Sequence, residues 1–422
     1  MPHGERERRL SRRTLLAGAA GALGGAMLGA LVPRAEAQAP ERQAPSVPDD
    51  PTKVLGAPTR AVGERSPFEQ PRRTPTGETV GNSLTPLQDL TGTITPSDLH
   101  FERHHAGVPQ IDPKRHHLMI HGMVERPMMF SLEDLGRYPS VTRTHFIECS
   151  GNGRGAYRSP KPELTPQLVD GLTANTEWTG VPLAALFEAA GAQREAQWFL
   201  AEGGDASRLA RSIPLDLALE DALVVYAQNG EALRPEQGYP VRLLLPGLEG
   251  NVNVKWLRRI KLGPAPFMTR WETSKYTDPL PNDTARQFSF LMDAKSIITY
   301  PAYPVVLPGA GWWPIRGLAW SGRGRITRVD VSTDSGRRWA PAELVGTVLP
   351  KAHTRFQMMW QWDGRETVIM SRAVDETGYA QPTHAQLLTV RGPGTDFHFN
   401  DIRGWRIRPD GHVFFDTRGG IT

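Results

Sequence analysis

The chain has 422 residues, 39% hydrophobic and 22% charged, with a formal net charge of +4. That supports a packed globular body of two or three domains and leaves no basic footprint for nucleic acid. One cysteine excludes an intramolecular disulfide, a multi-thiolate zinc site and a Cys-x-x-Cys-His haem attachment.

In chain order, residues 11–16 carry a twin arginine, Arg12-Arg13. Residues 15–32 form an uncharged Ala/Gly/Leu run, and Ala35-Glu36-Ala37 is a small-x-small cleavage site. This predicts a twin-arginine signal over 1–37, export of a protein already folded around a cofactor, and a periplasmic location. No other segment is apolar enough to cross a bilayer, so no membrane span is expected after processing. Residues 38–85, rich in Pro, Gln, Arg and Thr, read as an extended linker or arm, with folded structure beginning near Leu87.

Residues 86–280 read as an α+β domain. Residues 117–122 alternate into a glycine like a strand, Ser131 caps a helix, 182–190 form a helix stopped by Gly191, 215–222 form another, and 241–245 form an apolar strand. Residues 145–154 read His-Phe-Ile-Glu-Cys-Ser-Gly-Asn-Gly-Arg. They set Cys149 between a β-rich run and a glycine turn, with arginines at 143, 154 and 158 to favour the thiolate. One thiolate can hold one soft metal that brings its other ligands with it; the alternative is a buried core cysteine. Residues 281–422 change character. Short β-branched or aromatic segments at 296–299, 315–319, 326–332, 356–362, 367–373 and 412–416, separated by turns, predict an all-β sandwich.

The Cys149 segment resembles the Cys-Ala-Gly-Asn-Arg-Arg segment of the sulfite oxidase family. Residues 101–105 are similar to that family's Arg-Asn-His segment. Residues 238–247 and 253–257 resemble its pterin-binding stretch, and 317–322 with 328–332 the start of its C-terminal domain. The resemblance implies a molybdopterin domain at 86–280 and an immunoglobulin-like dimerisation domain at 281–422. It also implies a molybdenum-molybdopterin cofactor, bis-oxo and with one pterin, whose only protein ligand is Cys149. The positions matching its cofactor contacts are Arg103, His104, His105, Gln237, Arg242, Asn253, Val254 and Lys255; His104 replaces the family's asparagine, and Gln237 stands where animal enzymes often carry histidine. Those matching the substrate pocket are Arg103, Arg154, Arg391 and Tyr276. Arginine suits an oxyanion because its planar fork stays charged and donates two hydrogen bonds.

The implied reaction is oxidation of a sulfur substrate at molybdenum. With no haem motif in the chain, electrons pass to an external c-type cytochrome. Residues 233–240, 272–278 and 371–379 resemble the molybdenum subunit of the Sox-type sulfane dehydrogenase, whereas Arg154 matches the sulfite-oxidising members. Sulfite oxidation to sulfate is the favoured expectation, and carrier-bound sulfane in thiosulfate oxidation the alternative. A sulfoxide reductase and a non-enzymatic secreted module are the readings from other classes. Trp312, Trp313, Trp320, Trp339, Trp360, Trp362 and Trp405 exceed what one sandwich core needs, which predicts a homodimer, or a heterotetramer with cytochrome subunits.

Overall fold

The structure, a computed structural model, describes residues 54–280 and 283–417. The signal segment and the start of the arm lie outside the described residues. Residues 54–64 form a unit apart, exposed and without helix or strand.

Regular structure starts earlier than Leu87. Thr74–Gly77 pairs antiparallel with Gly81–Leu84, which pairs with Glu102–His104. Glycine closes the hairpin: Gly77 has φ 78°, and a Cβ on Gly81 would stand 2.4 Å from the Thr76 carbonyl. Short polar strands of Pro, Thr and Gly show no apolar alternation, so composition reads them as linker. Part of the expected arm is therefore the support of the strand that carries Arg103 and His104.

Two five-stranded sheets follow. The antiparallel one joins Glu231–Ala232, Leu223–Gln228, Thr173–Pro182 and Val141–Glu148, with Arg242–Leu244 also paired to Leu223–Gln228. The other runs Met128–Phe130, Leu118–Gly122, Leu257–Gly263, Trp198–Gly203 and Ala210–Pro214; its one parallel pair is Leu257–Gly263 with Leu118–Gly122. The helices are short, so sheet dominates. In Leu183–Ala190 the buried residues Leu183, Leu186, Phe187 and Ala190 fall at helical spacing, and Gly191 at φ 69° ends the helix as expected. Ser131 and Asp134 form a capping box on Leu132–Leu135. The predicted 215–222 helix is shorter, Leu215–Leu219.

The C-terminal region has two antiparallel sheets. One orders Lys295–Tyr300, Gly311–Trp320, Thr354–Trp362 and Glu343–Val345; the other Ala340–Pro341, Ile326–Ser332, Thr367–Asp375, Gly404–Ile407 and Val413–Phe415. Every segment expected to be a strand here is one. Both sheets contribute to one core that includes Ile315, Trp320, Phe356 and Trp362 from the first and Val329, Ile369, Trp405 and Ile407 from the second. Most of the tryptophans are thus internal; Trp312 is 62% exposed. Helix His384–Arg391, unanticipated in the sequence, interrupts the strands.

The two regions interlock through buried polar groups. Lys295 Nζ lies 2.5 Å from Asp170 Oδ1 and 3.1 Å from Glu148 Oε1, and Trp320 Nε1 donates to Glu148 Oε2 at 2.7 Å. A Cβ on Gly322 would stand 2.0 Å from the Gly247 carbonyl, a contact only glycine permits.

Candidate active site

Cys149 sits where Val141–Glu148 ends and the chain turns into helix Arg154–Arg158. Asn152 ties the turn: its amide donates to Glu148 Oε1 at 2.9 Å and accepts from the Leu172 N–H at 2.9 Å. Gly153, at φ 91°, lets the strand reverse into the helix, and a Cβ there would meet Arg403 and Phe399 at 3.0 Å. Burial pushes the thiol above its ordinary pKa, and the opposing pull of Arg103 and Arg154 is smaller. The cations alone do not make the thiolate; a bound metal cation would. Among the described residues no group of three or more His, Cys, Asp or Glu could hold a metal ion. A metal held by Cys149 must therefore bring its other ligands.

A cavity opens from Cys149, and the fold brings Arg103, His104, His105, Gln237, Arg242, Asn253, Lys255 and Tyr276 to its wall. Arg242 is buried, donates to the carbonyls of Gln237 at 3.0 Å and Asn253 at 3.1 Å, and lies 5.1 Å from the Trp178 ring centre. Its Nε has no hydrogen-bond partner, and burial depresses its pKa to about 9. Lys255 Nζ donates to the carbonyls of Glu236 at 2.9 Å and Arg103 at 3.2 Å and lies 2.9 Å from His104 Nδ1. Burial, with Arg242 nearby, holds Lys255 down at about 7. Two cations destabilised by burial, one with an unused donor, are what an anionic group such as a pterin phosphate would match. The residues present therefore fit the cofactor.

Other expected contacts are placed differently. Val254 does not line the cavity; its side chain packs in the hydrophobic core with Leu243 and Leu257. Asn253 engages its amide with backbone, accepting from Leu245 N–H at 2.7 Å and donating to the Glu249 carbonyl at 3.1 Å. It shapes the loop. Gln237 donates to the Phe101 carbonyl at 2.9 Å. His104 meets Glu102 Oε2 at 2.7 Å.

A second, open cleft of about 620 Å³ shares Arg103, His105, Cys149 and Tyr276 with the first and adds Arg154, Lys161, Leu164, Leu168, Lys275, Asp396 and Phe397. His105 Nε2 lies 2.9 Å from the Tyr276 hydroxyl. Burial and Arg103 lower the His105 pKa to about 4, and burial raises that of Tyr276. Arg391 is not on either wall. It is buried between Asp293, 3.4 Å away, and Asp278, 3.8 Å away. The expectation that it faces substrate is corrected: two buried carboxylates hold it. Asp396 and Phe397 were not anticipated, because residues 395–398 show no periodicity or motif. Only Arg154, which must find an acceptor, hints at them.

A family model described as "Oxidoreductase molybdopterin binding domain" matches residues 105–271, and one described as "Mo-co oxidoreductase dimerisation domain" matches 286–402. The chain is 31% identical to sulfite oxidase of Gallus gallus over 83% of its own length and 80% of that protein. It is 30% identical to an NADH nitrate reductase of Solanum lycopersicum, covering 73% of this chain and 38% of the relative. Among solved structures, the sulfane dehydrogenase SoxCD from Paracoccus pantotrophus superposes with a TM-score of 0.84 at 43% identity, covering 88% of this chain and 96% of that one.

Proposed function

The chain belongs to the sulfite oxidase family of molybdopterin oxidoreductases, and we propose that it oxidises sulfur presented at the end of a carrier arm and passes the electrons to a c-type cytochrome. The observation that carries this reading is the open cleft leading to Cys149, which sets the apolar side chains of Leu164, Leu168 and Phe397 beside its cations. A free oxyanion gains nothing from an apolar wall, whereas a chain bearing a terminal sulfur can pack against one. Leu164, Leu168 and Phe397 on its wall suit such an arm.

In this reading Cys149 would hold molybdenum, and Arg242 and Lys255 would hold the pterin phosphate, with Gln237 and His104 fixing the wall around them. The bound group, proposed as bis-oxo with a single pterin, supplies two-electron oxygen transfer to sulfur. The chain's residues orient and neutralise. Arg103, part-buried and donating to the His104 carbonyl, sets a fixed positive charge beside the thiol. Tyr276 keeps its proton at neutral pH because burial raises its pKa, so its hydroxyl can donate to the substrate or product oxygen.

Sulfite, the substrate the sequence favoured, is the second reading; Arg103 and Arg154 beside Cys149 support it. Turnover of sulfite and of carrier-bound sulfane by the holoenzyme, with cytochrome c as acceptor, separates the two. We expect kcat/KM at least tenfold higher for the carrier-bound sulfane; the reverse order overturns the reading.

The twin-arginine segment supports a periplasmic location, checked by fractionation. The dimerisation-domain match and the exposure of Trp312 and Met359, 62% and 58% exposed on paired strands, support a homodimer, or a heterotetramer with cytochrome subunits, through an immunoglobulin-like domain. Light scattering with and without cytochrome tests this, and a single-chain mass independent of concentration overturns it.

A further inference from the structure

One wall of the substrate cleft comes from the C-terminal region. Residues 395–398 reach across to the thiol loop, where the His398 N–H donates to the Ser150 carbonyl at 2.7 Å. The Asp396 carbonyl accepts from Arg154 Nε at 3.1 Å and Nη2 at 2.6 Å. Its carboxylate lies 2.6 Å from Arg158 Nη2 and 3.6 Å from Arg154 Nε. The segment is itself anchored: buried Asp278 accepts from Thr395 Oγ1 at 3.2 Å and from the Asp396 N–H at 3.3 Å, and Arg391 flanks Asp278 from behind. Phe397 closes the arrangement, 5.2 Å from the Arg154 guanidinium and 5.4 Å from the Tyr276 ring.

An anion approaching Cys149 from this side therefore meets Arg154 already paired with Asp396, whose carboxylate also holds Arg158, an arginine off the cleft wall. The three side chains carry a combined charge of +1 where the arginines alone would carry +2. We propose that Asp396 is a specificity-determining residue: by offsetting Arg154 and Arg158 it weakens the cleft's hold on free dianions and favours a sulfur delivered on a less charged arm. This rests on the substrate reading above. Arg154, Arg158 and Asp396 keep 41%, 48% and 40% of their side-chain surface exposed, so the filter is moderate and weakens with salt.

The test is sulfate binding to the cofactor-loaded enzyme by calorimetry, which needs no turnover. Asp396→Asn should tighten sulfate about three- to tenfold at low ionic strength, with the gain shrinking at high salt, and should lower the sulfite KM in parallel. Asp396→Ser should give the same gain, which guards against a fold defect peculiar to one variant. Asp396→Glu should stay near the wild-type affinity. Adding Arg158→Gln to Asp396→Asn restores the combined charge to +1 and should reverse the gain. Unchanged or weaker sulfate binding in both neutral variants overturns the proposal. Should wild-type enzyme prefer sulfite to carrier-bound sulfane, the substrate reading fails, while the sulfate measurements still decide what Asp396 does.

Discussion

Nε2 of His105 lies 2.9 Å from the Tyr276 hydroxyl, while Arg103 Nη2 lies 3.4 Å from His105 Nδ1. A guanidinium only donates, so Nδ1 accepts and the neutral ring carries its proton on Nε2. With its pKa near 4 the ring is neutral at pH 7. Nε2–H then donates to the phenol oxygen, which leaves the phenol's own hydrogen free for the cleft.

Tyr276→Phe removes that hydrogen together with the oxygen that accepts from His105 Nε2–H. We expect kcat to fall about ten- to a hundredfold, the scale of one hydrogen bond to a charged group, with molybdenum content unchanged. Steady-state kinetics beside metal analysis checks this; an unchanged kcat removes Tyr276 from the chemistry.

Cys149→Ser should abolish activity while the melting temperature stays near wild type. A serine oxygen is a poor substitute for a soft thiolate ligand, and the chain has no other cysteine. Oxidation at near wild-type rate by the purified variant would refute the ligand assignment.

Lys295→Met leaves Glu148 and Asp170 buried without their shared cation. Breaking a buried pair costs about 3–5 kcal/mol. Because Glu148 precedes Cys149 and also accepts from Asn152 and Trp320, kcat should fall together with the urea midpoint. A midpoint equal to wild type would show that the cluster does not hold the two regions together.

Acid should destabilise the protein early. Burial depresses His353 and His100 to about 3 and His105 to about 4, from an ordinary value of 6.5. Between these values the unfolded chain binds protons that the folded chain does not, so the histidines' contribution to stability falls as pH drops below 6.5 and is constant above it. Each group contributes a slope of about 1.4 kcal/mol per pH unit. His353→Gln, which can still reach Thr173 Oγ1, 2.9 Å from His353 Nε2, should flatten the acid limb of a melting-temperature profile; an unaltered slope rules out that histidine as a source.

The sequence by itself determined what local chemistry dictates. Gly191 stopping its helix, Ser131 capping another, and the β-branched runs of residues 296–373 are readable because propensity and turn chemistry act over a few residues. The thiol between a strand and a glycine turn, and most of the cavity wall from Arg103 to Tyr276, were legible in the same way, through short ordered motifs.

Only tertiary structure decided the rest, because it depends on groups distant in the chain. Nothing around Pro75 shows that this stretch supports the strand of Arg103; the pairing exists only once Glu102–His104 lies beside it. Val254 shares a motif with Asn253 and Lys255, yet its position turns it into the core. Arg391 carries the charge an oxyanion site needs, but Asp278 and Asp293 reach it first. Asp396, 242 positions from Arg154, accepts its hydrogen bonds. Hydrogen bonds and ion pairs act over a few ångströms of space, so the side chains that finish this cleft are set by packing between two regions that each look complete in the sequence.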